Sequence, residues 1–104
     1  MNISDFSRFE GFDWDKANVH KNWERHKVAF HECEEVLLRV PALFPDMEHS
    51  DQEPWFYAFG KTIAGRKLVV VFTMRKNKIR IISAREMSRK ERNAYEKIQK
   101  DPEI

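Results

Sequence analysis

The stretch Lys67–Arg85, KLVVVFTMRKNKIRIISAR, decides how the rest of the chain is arranged. Leu68 to Phe72 form an unbroken apolar run, β-branched or aromatic apart from the leucine and too short for an independent helix. The run reads as a central strand buried on both faces. Arg75, Lys76 and Asn77 then supply a polar turn, and in the segment after it Ile79, Ile81 and Ile82 are interleaved with Lys78, Arg80 and Arg85. This predicts a β-hairpin carrying arginines. With Met74 set opposite Lys78, Arg80 projects beside Ile82 and opposite Phe72, whereas Arg75 and Arg85 occupy the other face near the strand ends. Guanidinium groups on a rigid sheet suit anions, because each presents a planar fork of donors that fits phosphate oxygens in pairs. The competing reading for each arginine is a solvated strand-end charge.

Working back from the hairpin, Trp55 to Phe59 reads as an aromatic strand ended by Gly60, with Ala64-Gly65-Arg66 turning the chain into the central strand. Residues 45–54, PDMEHSDQEP, are bounded by prolines and read as an exposed loop, preceded by a short strand near Ala42 to Phe44. Pro41 ends a short helix in which Phe30, Cys33, Val36 and Leu37 make an apolar stripe, and Ala29 stands where a capping Ser or Thr is expected. Before it, Asp15 to His26 reads as an amphipathic helix with Val19, Trp23 and His26 at helical spacing and Asp13 or Asp15 as its cap. Phe9 to Trp14 suggests a first strand or an extended arm. After the hairpin, Ser88-Arg89-Lys90-Glu91 is a capping box for a basic helix with Tyr95 and Ile98 on its apolar side. The order predicts an α+β fold, a helical layer on an antiparallel sheet of three to five strands, with two helices before the sheet and one after it.

At 104 residues the chain fits one domain spanning residues 1–104. Its 41% apolar, 12% aromatic and 35% charged residues describe a soluble globular protein with a charged surface. There is no run of about 18 apolar residues and no secretory signal at the N-terminus, so the expected location is the cytoplasm. The single Cys33 reads as a small buried hydrophobe. The net charge of +2 conceals an asymmetry: residues 1–60 hold 6 Lys/Arg and 12 Asp/Glu, residues 61–100 hold 13 and 3. A region this basic favours a phosphate backbone or an acidic protein surface as partner.

Several chemistries are disfavoured. His20 and His26 lie six apart on a helix and face different ways, and His31-x-Cys33 is not a recognised ligand pair, so no metal is expected. The three glycines belong to no phosphate-binding loop, so no nucleotide cofactor is expected either. A basic sheet with scattered His, Glu and Tyr suits RNA cleavage without metal. That reaction needs a base for the ribose 2′-hydroxyl, an acid for the leaving oxygen and cations for the pentacoordinate transition state. His26, His49, Glu53, Arg75, Arg80 and Arg85 are of the right types.

One set of residues is F-x-W-D at Phe12 to Asp15, Asn22 with Arg25-His26, Val28-x-Phe30, and Asp46 with His49-Ser50 and Glu53. Gly60, Thr73-x-Arg75, R-I-I-S-A-R at Arg80 to Arg85, and Glu91-Arg92 with Tyr95 complete it. In these residues and their spacing, from Phe12 to Tyr95, the sequence resembles the BrnT-type toxins. The resemblance implies a RelE-like fold and endoribonuclease activity that arrests growth by blocking translation. It also implies neutralisation by a BrnA-like antitoxin with a ribbon-helix-helix domain, in a dimer or heterotetramer. Residue chemistry and resemblance together single out His26, Glu53, Arg75 and Arg85 for catalysis, and Arg80, Lys78, Arg66 and His49 for RNA binding. The chain departs from the family pattern at Asn18, where lysine is usual, at Lys27, where glycine is usual, and at Trp55, where arginine is usual. Loss of two cations predicts slower cleavage, or catalytic loss that leaves a partner-binding or RNA-binding module.

Overall fold

A computed structural model describes residues 10–48 and 53–100. In chain order the elements are α1 (Lys16–His26), α2 (Phe30–Leu38), β1 (Ala42–Asp46), β2 (Trp55–Lys61), β3 (Lys67–Arg75), β4 (Lys78–Glu86) and α3 (Arg89–Lys100). The strands form one antiparallel meander, β1-β2-β3-β4, the α+β architecture expected from the sequence. Leu68, Val69, Val70 and Phe72 of β3 are all buried, because side chains alternate between two covered faces. On one face α2 and the link before it pack Val28, Cys33 and Val36 against Phe56, Ala58, Leu68, Val70, Phe72 and Ile81. On the other, Tyr95 of α3 packs with Val69 and Met87, flanked by Tyr57 and Phe59.

The single helical layer expected from the sequence is therefore a layer on each side. Met87 makes the crossing: its N–H donates to Lys67 O at 3.1 Å and its side chain joins the second cluster, delivering α3 to that face. Ser88 and Glu91 form the capping box as anticipated, with Glu91 Oε1 accepting from Ser88 N–H at 2.8 Å and Ser88 Oγ accepting from Glu91 N–H at 3.2 Å.

The hairpin register differs from the expectation. Arg75 pairs with Lys78, so Met74 faces Ile79 and Thr73 faces Arg80. The turn is only two residues, Lys76 and Asn77, both left-handed with φ of 52° and 66°. Two left-handed residues match the twist of the flanking strands, which a three-residue count of the polar stretch had missed. A bulge between Val71 and Phe72 shifts the register again, so that Val71 faces Ser83 and Val69 faces Arg85. Even-numbered Lys78 and Arg80 and odd-numbered Ser83 and Arg85 thus share the face of Thr73 and Arg75. Arg80 does not stand opposite Phe72, which pairs with Ile81.

The outer edge of β4 is protected by the N-terminal half. Residues 10–14 are an extended arm: Glu10 and Asp13 N–H groups donate to Asn77 O and Ile79 O at 2.7 and 2.8 Å, and Phe12 bridges Ile79 in parallel. Farther along, Asn18 Nδ2 donates to Ile81 O and Lys21 Nζ donates to Ile82 O at 2.7 Å, both beside the bulge. This explains why α1 turns a polar face inward. Asn22 is buried, whereas Trp23 is 48% exposed and His26 is exposed, unlike the stripe expected from spacing. Of the two caps expected for α1, Asp13 or Asp15, it is Asp15 that serves, accepting from Asn18 N–H at 2.7 Å. Lys27 closes it in the left-handed region at φ 53°, a conformation that costs a non-glycine residue roughly 1 kcal/mol. In α2, Cys33 and Val36 are buried and Phe30 stays 45% exposed with its ring edge-on to Trp14. Gly60 lies inside β2 rather than ending it. A Cβ there would stand 3.0 Å from Val36 Cγ1, so its absence lets α2 close onto the sheet.

Candidate functional site

The face that carries Thr73 and Arg75 is crossed by rows of paired residues. Thr73 faces Arg80, Asp46 faces Trp55, and Phe44, Tyr57, Val71 and Ser83 make a row across all four strands. The chain entering β2 is tied to this face by Thr73 Oγ1, which donates to Pro54 O at 2.7 Å. That places Glu53 against Arg75. Arg75 Nε donates to Glu53 Oε2 at 3.0 Å and its NH2 group to Oε1 at 2.8 Å, a two-pronged fork. The Arg75 fork holds the Glu53 carboxyl below the ordinary carboxylate range, helped by the Trp55 indole N–H, which donates to it, and by the charge of Arg80. Glu53 is ionised at neutral pH.

Arg80 is engaged from the arm and from α1. Its NH2 group donates to Asp15 Oδ2 at 2.7 Å and its NH1 group lies 3.6 Å from Asp13 Oδ2. Arg85 forks onto Glu91 at 2.7 and 2.9 Å and also donates to Glu86 O at 3.1 Å. The fork with Arg85 drives the Glu91 carboxyl down to about 2. Between these pairs the Tyr57 hydroxyl donates a hydrogen bond to Asp46, and burial, followed by that bond, raises the phenol above its usual range. Three arginines thus stand on one face, each against a carboxylate, with Tyr57 still protonated at neutral pH. A phosphate brought to this face would meet cations already held in place and would have to compete with carboxylates for them.

Residues 14–91 match the family model described as the ribonuclease toxin, BrnT, of type II toxin-antitoxin system. The chain belongs to the BrnT family. It also superimposes on the 1.1 Å crystal structure of the Brucella abortus ribonuclease toxin, BrnT, with a TM-score of 0.60 and 21% identity, over 76% of this chain and 97% of that one. That likeness is one of fold. No match was found to a curated protein sequence. Membership makes this chain a ribonuclease toxin of a type II toxin–antitoxin system, with an RNA target and an antitoxin as its partners. Among the described residues no helix is long and apolar enough to cross a membrane.

Within this BrnT-family fold the residues anticipated for function fall into two groups. Glu53, Arg75 and Arg80 are brought together, with exposed Lys78 beside Arg75 and with Arg85 farther along the same face. His26 and Arg66 lie at the other end of the sheet. Arg66 NH2 donates to His26 O at 3.2 Å, and NH1 donates to Lys27 O at 2.7 Å and to Glu32 Oε1 at 3.0 Å, so this guanidinium ties the end of α1 to α2. The nine-residue step from Arg66 to Arg75 spans roughly 30 Å along the strand. His49 lies outside the described residues. Tyr57 and Asp46 were not among the anticipated functional residues, yet period-two spacing marks Glu53, Trp55 and Tyr57 as sharing a side once the strand is recognised. The spacing of Asp13 and Asp15 around the first turn of α1 is the corresponding clue for Arg80.

Proposed function

We propose that this BrnT-family chain is a metal-independent endoribonuclease that arrests growth by cutting RNA needed for translation, and that the Glu53–Arg75–Arg80 cluster is its reaction centre. The observation that carries this reading is the Glu53–Arg75 fork on the same face as Arg80. Phosphate oxygens compete with Glu53 for Arg75. As the fork opens, Glu53 loses the contact that depresses its proton affinity and becomes a better base for the adjacent 2′-hydroxyl. The 2′-oxygen bonds to phosphorus as its proton passes to Glu53, the bond to the 5′-oxygen breaks as a water protonates that oxygen, and Arg75 and Arg80 stabilise the charge of the intermediate. Arg85 and Lys78 hold neighbouring phosphates. The antitoxin in this reading is a ribbon-helix-helix protein that covers the basic face in a heterotetramer.

A second reading is favoured by one observation: Arg75, Arg80 and Arg85 are each paired with a carboxylate of the chain itself. A module that binds RNA or antitoxin without cutting fits such pairing. Single-turnover cleavage of a model RNA in the presence of EDTA separates the two. The ribonuclease reading expects cleavage that survives chelation and falls about 100- to 1000-fold in Glu53→Gln and in Arg75→Ala. Binding without cleavage supports the module, and cleavage lost with EDTA contradicts metal independence.

A further inference from the structure

On the face away from α2, helix α3 does not close fully over the sheet. Between α3 and strands β1 and β2 lies a cleft of about 420 Å³ with Phe44, Phe59, Tyr95 and Ile98 among its walls. Phe44 and Ile98 are each 43% exposed, so the apolar lining is open to solvent rather than sealed as core. Phe59 is fixed by an edge-on contact with Phe44, centroids 5.7 Å apart, which makes that wall preformed. An open apolar cleft of this volume matches what the anchoring side chains of an amphipathic helix fill.

The charge around the cleft selects the occupant. α3 carries Arg89, Lys90, Arg92, Lys97 and Lys100, and Lys90 lines the cleft itself. The acidic residues of α3 are spent inside the molecule: Glu91 on Arg85 and Glu96 on Lys67. An apolar slot with Lys90 at its wall, on a helix whose own carboxylates are already paired, is complementary to a helix with apolar anchors and flanking carboxylates. A bare RNA strand satisfies Lys90 but leaves the apolar slot unfilled.

We propose that the cleft between α3 and strands β1–β2 is the docking groove for an acidic amphipathic helix of the antitoxin. The groove also explains how docking silences the enzyme. Tyr57 and Glu91 line it, and Tyr57 stands two residues from Trp55 while Glu91 holds Arg85. A helix seated there lies against the face that carries the arginines and covers the path of an RNA strand along it. This inference rests on the toxin reading, and its test separates the two.

The experiment co-expresses the chain with the product of the gene adjacent to its own and measures complex formation and RNA cleavage for the wild type, Ala94→Arg and Ile98→Glu. Both substituted positions are solvent-exposed on α3 and outside the reaction centre, and circular dichroism checks the fold. The groove expects each variant to bind the antitoxin about 100-fold more weakly while cleaving RNA as the wild type does, leaving cells poisoned despite the antitoxin. Lys90→Glu should slow association and flatten its salt dependence. An antitoxin complex equally tight in all variants overturns the groove. So does loss of RNA binding with antitoxin binding intact, which gives the cleft to RNA, or a wild-type homodimer that Ala94→Arg dissociates, which gives it to self-association. No complex and no cleavage by the wild type refutes the toxin reading and the groove with it.

Discussion

Trp55 and Asn18 stand where the sequence resemblance leads one to expect cations, and the structure gives each a neutral hydrogen bond to donate. The Trp55 indole donates to Glu53, and Asn18 donates to Ile81 O at the bulged edge of β4. The donor is kept in both cases while the positive charge is lost. At Asn18 the change has mainly a structural consequence, because a backbone carbonyl is satisfied by either kind of donor. At Trp55, beside the proposed Glu53–Arg75–Arg80 centre, it bears on the proposed reaction, because charge near a reacting phosphate stabilises the transition state. Trp55→Arg should therefore raise single-turnover RNA cleavage by up to about 100-fold. Slower cleavage by Trp55→Arg would show that the indole, and not a cation, is what this site requires. Cys33 belongs to the same scale for the opposite reason: burial, reinforced by Glu32 and Glu34, pushes its thiol up to about 12, so it serves packing and not chemistry.

At the scale of elements, Glu91 joins α3 to the sheet. One carboxylate caps the helix at Ser88 N–H and forks onto Arg85 of β4. Its affinity for a proton falls from the ordinary 4.5 to about 2 on folding, so the stabilisation is complete above pH 4.5 and disappears as pH drops toward 2. Arg85 is 43% exposed, and solvent screening leaves about 1–2 kcal/mol for the pair and the cap together. Glu91→Gln should lower stability by that amount at pH 7, measured by urea unfolding, and should bring the two proteins together near pH 2. An unchanged gap across that range would remove Glu91 from the acid response. The elements themselves were legible in sequence: the apolar run of β3, the Asp15 cap and the Ser88–Glu91 box each mark a boundary by local chemistry. The register of the hairpin was not, because a polar stretch of three residues does not reveal that its turn uses two, and nothing in β4 announces a bulge. That is why Arg80 was expected on the wrong face, and why its partnership with Asp13 and Asp15 appears only once the arm is seen against β4. The Glu53–Arg75 pairing was half legible: both residues stood out, but the Thr73–Pro54 hydrogen bond that joins them depends on tertiary contact.

At the scale of the whole molecule, the acidic first half of the chain folds onto the basic second half. The first 60 residues hold 12 Asp/Glu and residues 61–100 hold 13 Lys/Arg, and in the fold Asp13, Asp15 and Glu53 of the former face Arg80 and Arg75 of the latter. In the proposed reading, RNA displaces the chain's own carboxylates before its phosphates reach those arginines. Two opposed effects on affinity follow. Removing an arginine deletes a phosphate contact and should flatten the plot of log affinity against log salt by about 0.7. Removing a competing carboxylate should do the reverse. Asp13→Asn is the clean case, because Asp13 is only 3.6 Å from Arg80 and, unlike Asp15, does not cap α1. Fluorescence anisotropy of a labelled single-stranded RNA between low and moderate salt should show Arg80→Ala binding more weakly with the shallower slope. Asp13→Asn should bind several-fold more tightly with a slope at least as steep as the wild type. If Asp13→Asn weakens binding instead, the carboxylate orients Arg80 for the phosphate rather than competing with it, and the internal pairing is part of the binding surface.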